Sequence, residues 1–301
     1  MTVAQVATVV RDCVVEIKTE TVSADVWSFQ YVLEGAGSGV IITDNGYIIT
    51  NNHVISDAST ITVRLVDGRE YAASVYAFDV KADIAIIKID EVNLPSVTFG
   101  NSSDLVVGES AIAVGNPLGE LGGTVTGGII SALDREIIIE GEIMTLLQTD
   151  AAVNHGNSGG GLFNMRAELI GIVNAKSSGL SIEGLGFAIP SDVVKSVASD
   201  LLTYGYVRGR IETGLELLDV QSAQQARWNR FSQVGLYIVE SAHDELQHGD
   251  RITGINDVSV LNLYEFNKAL GQLSIGDTVT IFVIRRNAPI SASIVLTEWK
   301  P

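Results

Sequence analysis

Residues 153–163 read VNHGNSGGGLF, with a single serine, Ser158, set among Gly156, Gly159, Gly160 and Gly161. Glycine loses more backbone freedom on folding than any other residue, so four of them around one serine require a geometric reason. The stretch alone allows two readings. One is a polar turn, since Asn-Ser-Gly-Gly is ordinary loop chemistry. The other is a nucleophile loop, in which backbone N–H groups point into a cavity and no side chain blocks an approaching carbonyl. The segments around it decide the fold class. EIIIEGEIMTLLQT precedes the loop, and AELIGIVNA and GLGFAIP follow it, each a short run of β-branched and aliphatic residues bounded by turn residues. Upstream, GVIITDNGYIITNN reads as two strands around Asp44-Asn45-Gly46, and ITVRLVDGREYAASVYAFD repeats the form around Asp67-Gly68. About a dozen short strands between Val14 and Pro190, without intervening helices, predict an antiparallel barrel or sandwich.

At Pro190 the pattern changes. SDVVKSVASDLLTYG places Val194, Val197, Leu201 and Leu202 on one helical face, with Ser191 or Asp192 as N-cap and Gly205 as the stop. Beyond Val207 a second unit of mixed α and β begins. It holds the strand-like runs TGLELLDV and GLYIVES, a Gly249-Asp250 turn, a helix in NLYEFNKALGQL and the hairpin TVTIFVIRRNAPISASIVL.

The chain has 301 residues, 46% of them hydrophobic, which is enough to bury two cores. Its formal charge of −17 would repel a phosphate backbone, and no Lys/Arg stripe offsets it, so nucleic acid is not expected as a partner. Cys13 is the one cysteine, which excludes an intrachain disulfide and a Cys-based metal site. No window approaches 18 uninterrupted apolar residues, and the N-terminus lacks the zones of a signal peptide. A strand-like run starting almost at Met1 is what a soluble piece cut from a longer, membrane-anchored precursor would show.

A nucleophilic serine needs a base to take its proton and an acid to hold that base. Among four histidines, His53 in IITNNHVI ends a strand amid core-like residues, where an imidazole would be held rigidly. Asp83 heads the apolar strand KADIAIIKI, and a buried carboxylate there calls for a partner. Separately, a core histidine, a turn aspartate and a loop serine are unremarkable. Together, TNNHVI, ADIAIIKI and GNSGGGL resemble the three triad motifs of trypsin-like serine proteases of the HtrA/Deg family, and AVGNPLG, QTDAAVNHGNSGGGL and GLGFAIP resemble further segments of that family in the same order.

The resemblance implies a mainly β, chymotrypsin-like protease domain of two six-stranded β-barrels over residues 1–206, followed by a small α+β PDZ domain over 207–301. It implies a serine endopeptidase with His53, Asp83 and Ser158 as triad, the N–H groups of Gly156 and Ser158 as oxyanion hole, and no cofactor or metal. Ala152, at the base of the S1 pocket, would favour small aliphatic residues before the scissile bond. Asn174, Ala175 and Lys176 would pair with extended, unfolded or misfolded polypeptide. Thr213, Gly214, Leu215 and Glu216 take the place of a PDZ carboxylate-binding loop, whose N–H groups receive a peptide C-terminus for recruitment or activation. A homotrimer and a bacterial extracytoplasmic setting, periplasm or cell surface, are implied as well. Two positions depart from the family pattern: His155 and Gly161 stand where prolines are usual, which loosens the backbone beside the oxyanion hole. The competing reading is a latent protease acting mainly as a peptide-binding or chaperone module. A nucleotide-binding reading through GAGSGV at 35–40 fails on context, because that segment runs into a hairpin rather than a helix.

Overall fold

The structure, a computed structural model, describes residues 1–24, 30–115, 123–139, 141–154, 156–175 and 184–300. The chain divides into two compact units, one of residues 1–137 and 144–207, the other of 138–143 and 208–301.

The first unit opens with helix α1 (Val3–Val10), not a strand. Thr2 accepts from the Gln5 N–H while the Gln5 side chain returns to the Thr2 N–H, a capping box that fixes the first turn. Val6 and Val10 then fall on one buried stripe, a spacing of four that a strand reading of the valines overlooks. Strands β1 (Val14–Ala24), β2 (Gln30–Ile41) and β3 (Tyr47–Thr50) follow, then the short helix α2 (Asn52–Ile55). With β4 (Thr60–Arg64), β5 (Glu70–Asp79) and β6 (Ile84–Ile89) they close a barrel in the order β1-β2-β3-β6-β5-β4. Its interior is filled by Ile17, Ile41, Ile48, Ile87 and Val63, all fully buried. GAGSGV lies wholly within β2, paired along its length with β1. A Cβ on Gly39 would meet the Ile48 side chain at 2.6 Å, so the glycine there serves close packing rather than a ligand. Cys13 is buried beside this barrel, and desolvation, helped by the neighbouring Asp12 charge, pushes its thiol up to about 11. A thiol so raised carries little thiolate, the nucleophilic form, at neutral pH.

A second barrel is built from β8 (Ser110–Gly115), β9 (Thr124–Ile139), β10 (Glu142–Thr149), β11 (Gly161–Asn164), β12 (Glu168–Val173) and β13 (Gly186–Pro190), with β7 (Thr98–Phe99) joined to β12 in parallel. The order is β11-β8-β9-β10-β13-β12, and the β11–β12 pairing closes the ring. Helix α3 (Ser191–Tyr204) ends on Gly205 at φ 82°, whose N–H returns to Leu201. Its N-cap is Pro190 rather than Ser191 or Asp192. Those two side chains instead tie the helix start to the loop before β8: the Ser191 hydroxyl donates to Gly100 O, and Asp192 accepts from the Ser103 N–H.

The second unit contains β14 (Ile211–Glu212), β15 (Leu215–Val220), α4 (Ala223–Trp228), β16 (Gly235–Ser241), β17 (Arg251–Ile255), β18 (Val258–Ser259), α5 (Leu263–Leu270), β19 (Thr278–Arg285), β20 (Ala288–Val295) and β21 (Thr297–Glu298). A sheet in the order β15-β16-β17-β19-β20 carries Ile238, Ile252, Ile281 and Ile294 on the face that Phe266 and Leu270 of α5 cover. Helix α4 is short and starts at Ser222, which accepts from the Gln225 N–H. Asp250 is 1% exposed, and Arg285 grips it with two bonds of 2.6 and 2.7 Å, which holds the guanidinium charged even more firmly than usual.

Candidate active site

His53 enters the site on α2, the single helical turn that follows β3. Asp83 enters from the turn before β6 at φ 52°, a left-handed conformation that aspartate tolerates better than most residues. The turn is clamped. The Asp83 carbonyl accepts from Asn51 Nδ2 at 3.0 Å and from the Asn52 N–H at 3.2 Å. Its carboxylate accepts from the His53 N–H at 2.9 Å, from His53 Nδ1 at 2.7 Å and from Asn174 Nδ2 at 2.9 Å. Because an ionised carboxylate only accepts, the imidazole proton sits on Nδ1. Nε2 therefore turns its lone pair to Ser158 Oγ, 3.0 Å away. Ser158 Oγ also accepts from the Ala175 N–H at 3.2 Å, which leaves its own proton for His53.

The loop carrying Ser158 is pinned from both barrels. Ser38 of β2 donates its N–H to Ser158 O at 2.8 Å and its hydroxyl to Gly156 O at 2.7 Å. From β12, Val173 O accepts the Gly159 N–H, and the Val173 N–H donates to Gly160 O. Gly156 has φ 97°, and a Cβ on Gly159 would meet Ser38 O at 2.1 Å. These are positions where only glycine fits without displacing backbone. Gly161 is different: it is buried within β11, paired with both Val114 and Ile172, so neighbouring strands restrict it where a proline would have done so. Gly156 and Ser158 are both buried, yet among the described residues neither N–H has an acceptor. Buried backbone donors are almost always paired. Two without an acceptor among the described residues, beside a serine hydroxyl, can donate to a developing negative charge.

The other expected site residues fall less simply. Asn174 is wholly buried; its side chain holds Asp83 and its N–H is taken by Phe187 O at 2.9 Å. The Ala175 N–H is taken by Ser158 Oγ. These two N–H donors are thus engaged within the protein, that of Asn174 in the sheet and that of Ala175 on the Ser158 hydroxyl. Ala152 is exposed, its carbonyl accepting from Thr126 Oγ1 at 2.9 Å. Lys176 and His155 lie outside the described residues. Sequence reasoning missed two members, Ser38 and the side chain of Asn174. Each acts over more than 90 residues of sequence, on Gly156 and Asp83, and carries no local signal.

In the second unit, Thr213 is buried and its carbonyl is held by His243 Nε2 at 2.7 Å. Gly214 has φ 69° and accepts from the Ala242 N–H. Two N–H groups of this loop are occupied from within: Gly214 donates to Glu212 Oε1 at 2.7 Å, and Leu215 donates to Thr213 Oγ1 at 3.3 Å. A carboxylate already sits where a peptide C-terminus was expected, and it is the chain's own.

Comparison with known proteins places these observations in a family setting. The trypsin-like peptidase domain family matches residues 37–172 and the PDZ domain family matches 235–296. The chain is 37% identical over 272 residues to the periplasmic serine endoprotease DegP of Escherichia coli K12, covering 87% of this chain and 57% of that protein. It is 39% identical over 287 residues to the serine protease Do-like HtrA of Bacillus subtilis 168, covering 88% and 64%. It thus spans a little over half the length of DegP. Among solved structures, the HtrA-type protease AlgW with decapeptide matches over 100% of both chains at 30% identity and a TM-score of 0.66.

Proposed function

The chain belongs to the HtrA/Deg family of trypsin-like serine proteases, and from that premise we propose that it is a serine endopeptidase acting on unfolded or misfolded polypeptides. One observation carries the reading: the unbroken bond series from Asp83 Oδ2 to His53 Nδ1 and from His53 Nε2 to Ser158 Oγ, at 2.7 and 3.0 Å. In this proposal Ser158 Oγ attacks the scissile carbonyl as its proton passes to His53 Nε2, and Asp83 steadies the imidazolium that forms. The N–H groups of Gly156 and Ser158, without an acceptor among the described residues, receive the oxyanion. His53 then hands the proton to the departing amine, and water repeats the sequence on the acyl-serine. Small aliphatic residues before the scissile bond, a homotrimer and an extracytoplasmic setting complete the proposal, supported by the family and by the periplasmic naming of DegP. Active-site titration with a fluorophosphonate, followed by casein hydrolysis, tests it. One label per chain on Ser158 together with casein cleavage is the expected result, and an unlabelled serine overturns it.

For residues 207–301 we propose a PDZ domain that binds peptide C-termini through Thr213, Gly214, Leu215 and Glu216. The Gly214 N–H must then exchange Glu212 for the incoming carboxylate. Glu212→Ala removes that competitor, and a hydrogen bond to a charged group contributes about 1.5 kcal/mol or more. The variant is therefore expected to bind a peptide with a free apolar C-terminus about tenfold more tightly by calorimetry, with no gain for the same peptide amidated. Equal affinities for wild type and variant would remove Glu212 from the binding step.

A further inference from the structure

A cavity of about 520 Å³ adjoins Ser158 and His53. Apart from Gly156, Ser158 and Ala175 its lining belongs to the first barrel: Thr19 and Thr21 of β1, Gly35 and Ala36 of β2, and His53, Val54, Ser56, Asp57 and Ala58. Ala152 is not part of it. His53 Nε2 delivers its proton to the departing amine, so the departing half of a substrate lies on the His53 side of Ser158, where this cavity is. The wall is made of small and hydroxylic side chains and carries one carboxylate. Asp57 is exposed, and among the described residues no lysine or arginine pairs with it. Thr21 Oγ1 donates to the Asp57 carbonyl at 2.9 Å and so anchors the backbone that carries this side chain at the cavity. The cavity owes part of its depth to Gly35. A Cβ there would meet Thr19 Oγ1 at 2.5 Å and no backbone atom.

We infer that this cavity is a leaving-side subsite that selects a lysine or arginine side chain within the first two residues after the scissile bond, with Asp57 as the specificity-determining residue and Gly35 keeping the space open. The inference rests on the peptidase reading above. The selection is electrostatic: a neutral wall with one unpaired carboxylate attracts a cation and repels an acidic side chain, an effect limited by solvent.

Acyl transfer reads this subsite directly. A small aliphatic acyl-amino-acid ester loads Ser158, and dipeptide amides compete with water for the acyl-enzyme. The amine nitrogen attacks the acyl carbon, the C–O bond to Ser158 breaks as the amide C–N bond forms, and the amine proton passes through His53 Nε2 to Ser158 Oγ. Wild type is expected to favour Ala-Lys-NH₂ and Lys-Ala-NH₂ over Ala-Glu-NH₂ and Glu-Ala-NH₂ by about fivefold in the aminolysis-to-hydrolysis ratio, the range of an exposed ion pair. Asp57→Asn should bring that preference to within twofold, and Asp57→Lys should invert it. Gly35→Val, which displaces only a side chain, should lower aminolysis by every dipeptide relative to water. An acyl-enzyme that forms in wild type but partitions without charge preference overturns the subsite and leaves the peptidase reading standing. Failure to form an acyl-enzyme overturns both.

Discussion

Ser158→Ala is expected to lower peptidase kcat/KM by a factor on the order of 10⁶, the loss seen when the nucleophile of a serine protease triad is removed. The size of the effect follows from what the hydroxyl alone does. It accepts from the Ala175 N–H, donates to His53 Nε2 and holds no strand in place, so its loss removes the covalent step and little else. The loop itself remains tied through backbone bonds to Ser38 and Val173. The variant should therefore unfold at a temperature close to wild type and take no fluorophosphonate. Comparable turnover by a folded Ser158→Ala protein would show that another group forms the acyl intermediate, and the mechanism would be abandoned.

Asp83→Asn is expected to cost about 10⁴ in kcat. The Asp83 carboxylate accepts three donors, from the His53 N–H, His53 Nδ1 and Asn174 Nδ2. An amide offers one oxygen and two N–H groups in the same place, so at least one donor is met by a donor. The arrangement that relieves the conflict puts the imidazole proton on Nε2, where it faces Ser158 and leaves no base. A loss of only a few-fold would point to another carboxylate. Asp150 is the nearest rival in sequence, but its Oδ1 already accepts from the Ile129 N–H at 2.6 Å.

What the sequence shows of this molecule, and what it hides, divides by range. Hairpins such as the one at Gly46 are legible because the turn needs a conformation few residues adopt, and φ there is 95°. The proposed triad, whose three side chains lie in one bonded series, is legible because each member lies in its own short motif. Helix α1 is misread because its valines carry β propensity, and the capping box at Thr2 and Gln5 outweighs it. Helix α4 escapes notice because six residues give too little periodicity, although Ser222 and Gln225 mark its start. The double duty of Asn174 is invisible for another reason: its partner is 91 positions away, and only the closed second barrel brings them together.

The attachment of the Ser158 loop to Ser38 has a bearing on the chain's own birth. Residue 38 leaves the ribosome long before residue 158, and the bond between Ser38 Oγ and Gly156 O spans 118 positions. Further ties of the loop run to Val173 and Ala175, which emerge later still. A nascent chain therefore carries His53 and Asp83 before the Ser158 loop is held in place, and on the proposed function it would gain activity only after both barrels have been synthesised and have closed on each other. In refolding from denaturant, reactivity toward fluorophosphonate is expected to appear with the slowest phase, after strand formation seen by circular dichroism. Under the proposed function, a polypeptide that would degrade unfolded chains is in this way kept harmless for as long as it is one.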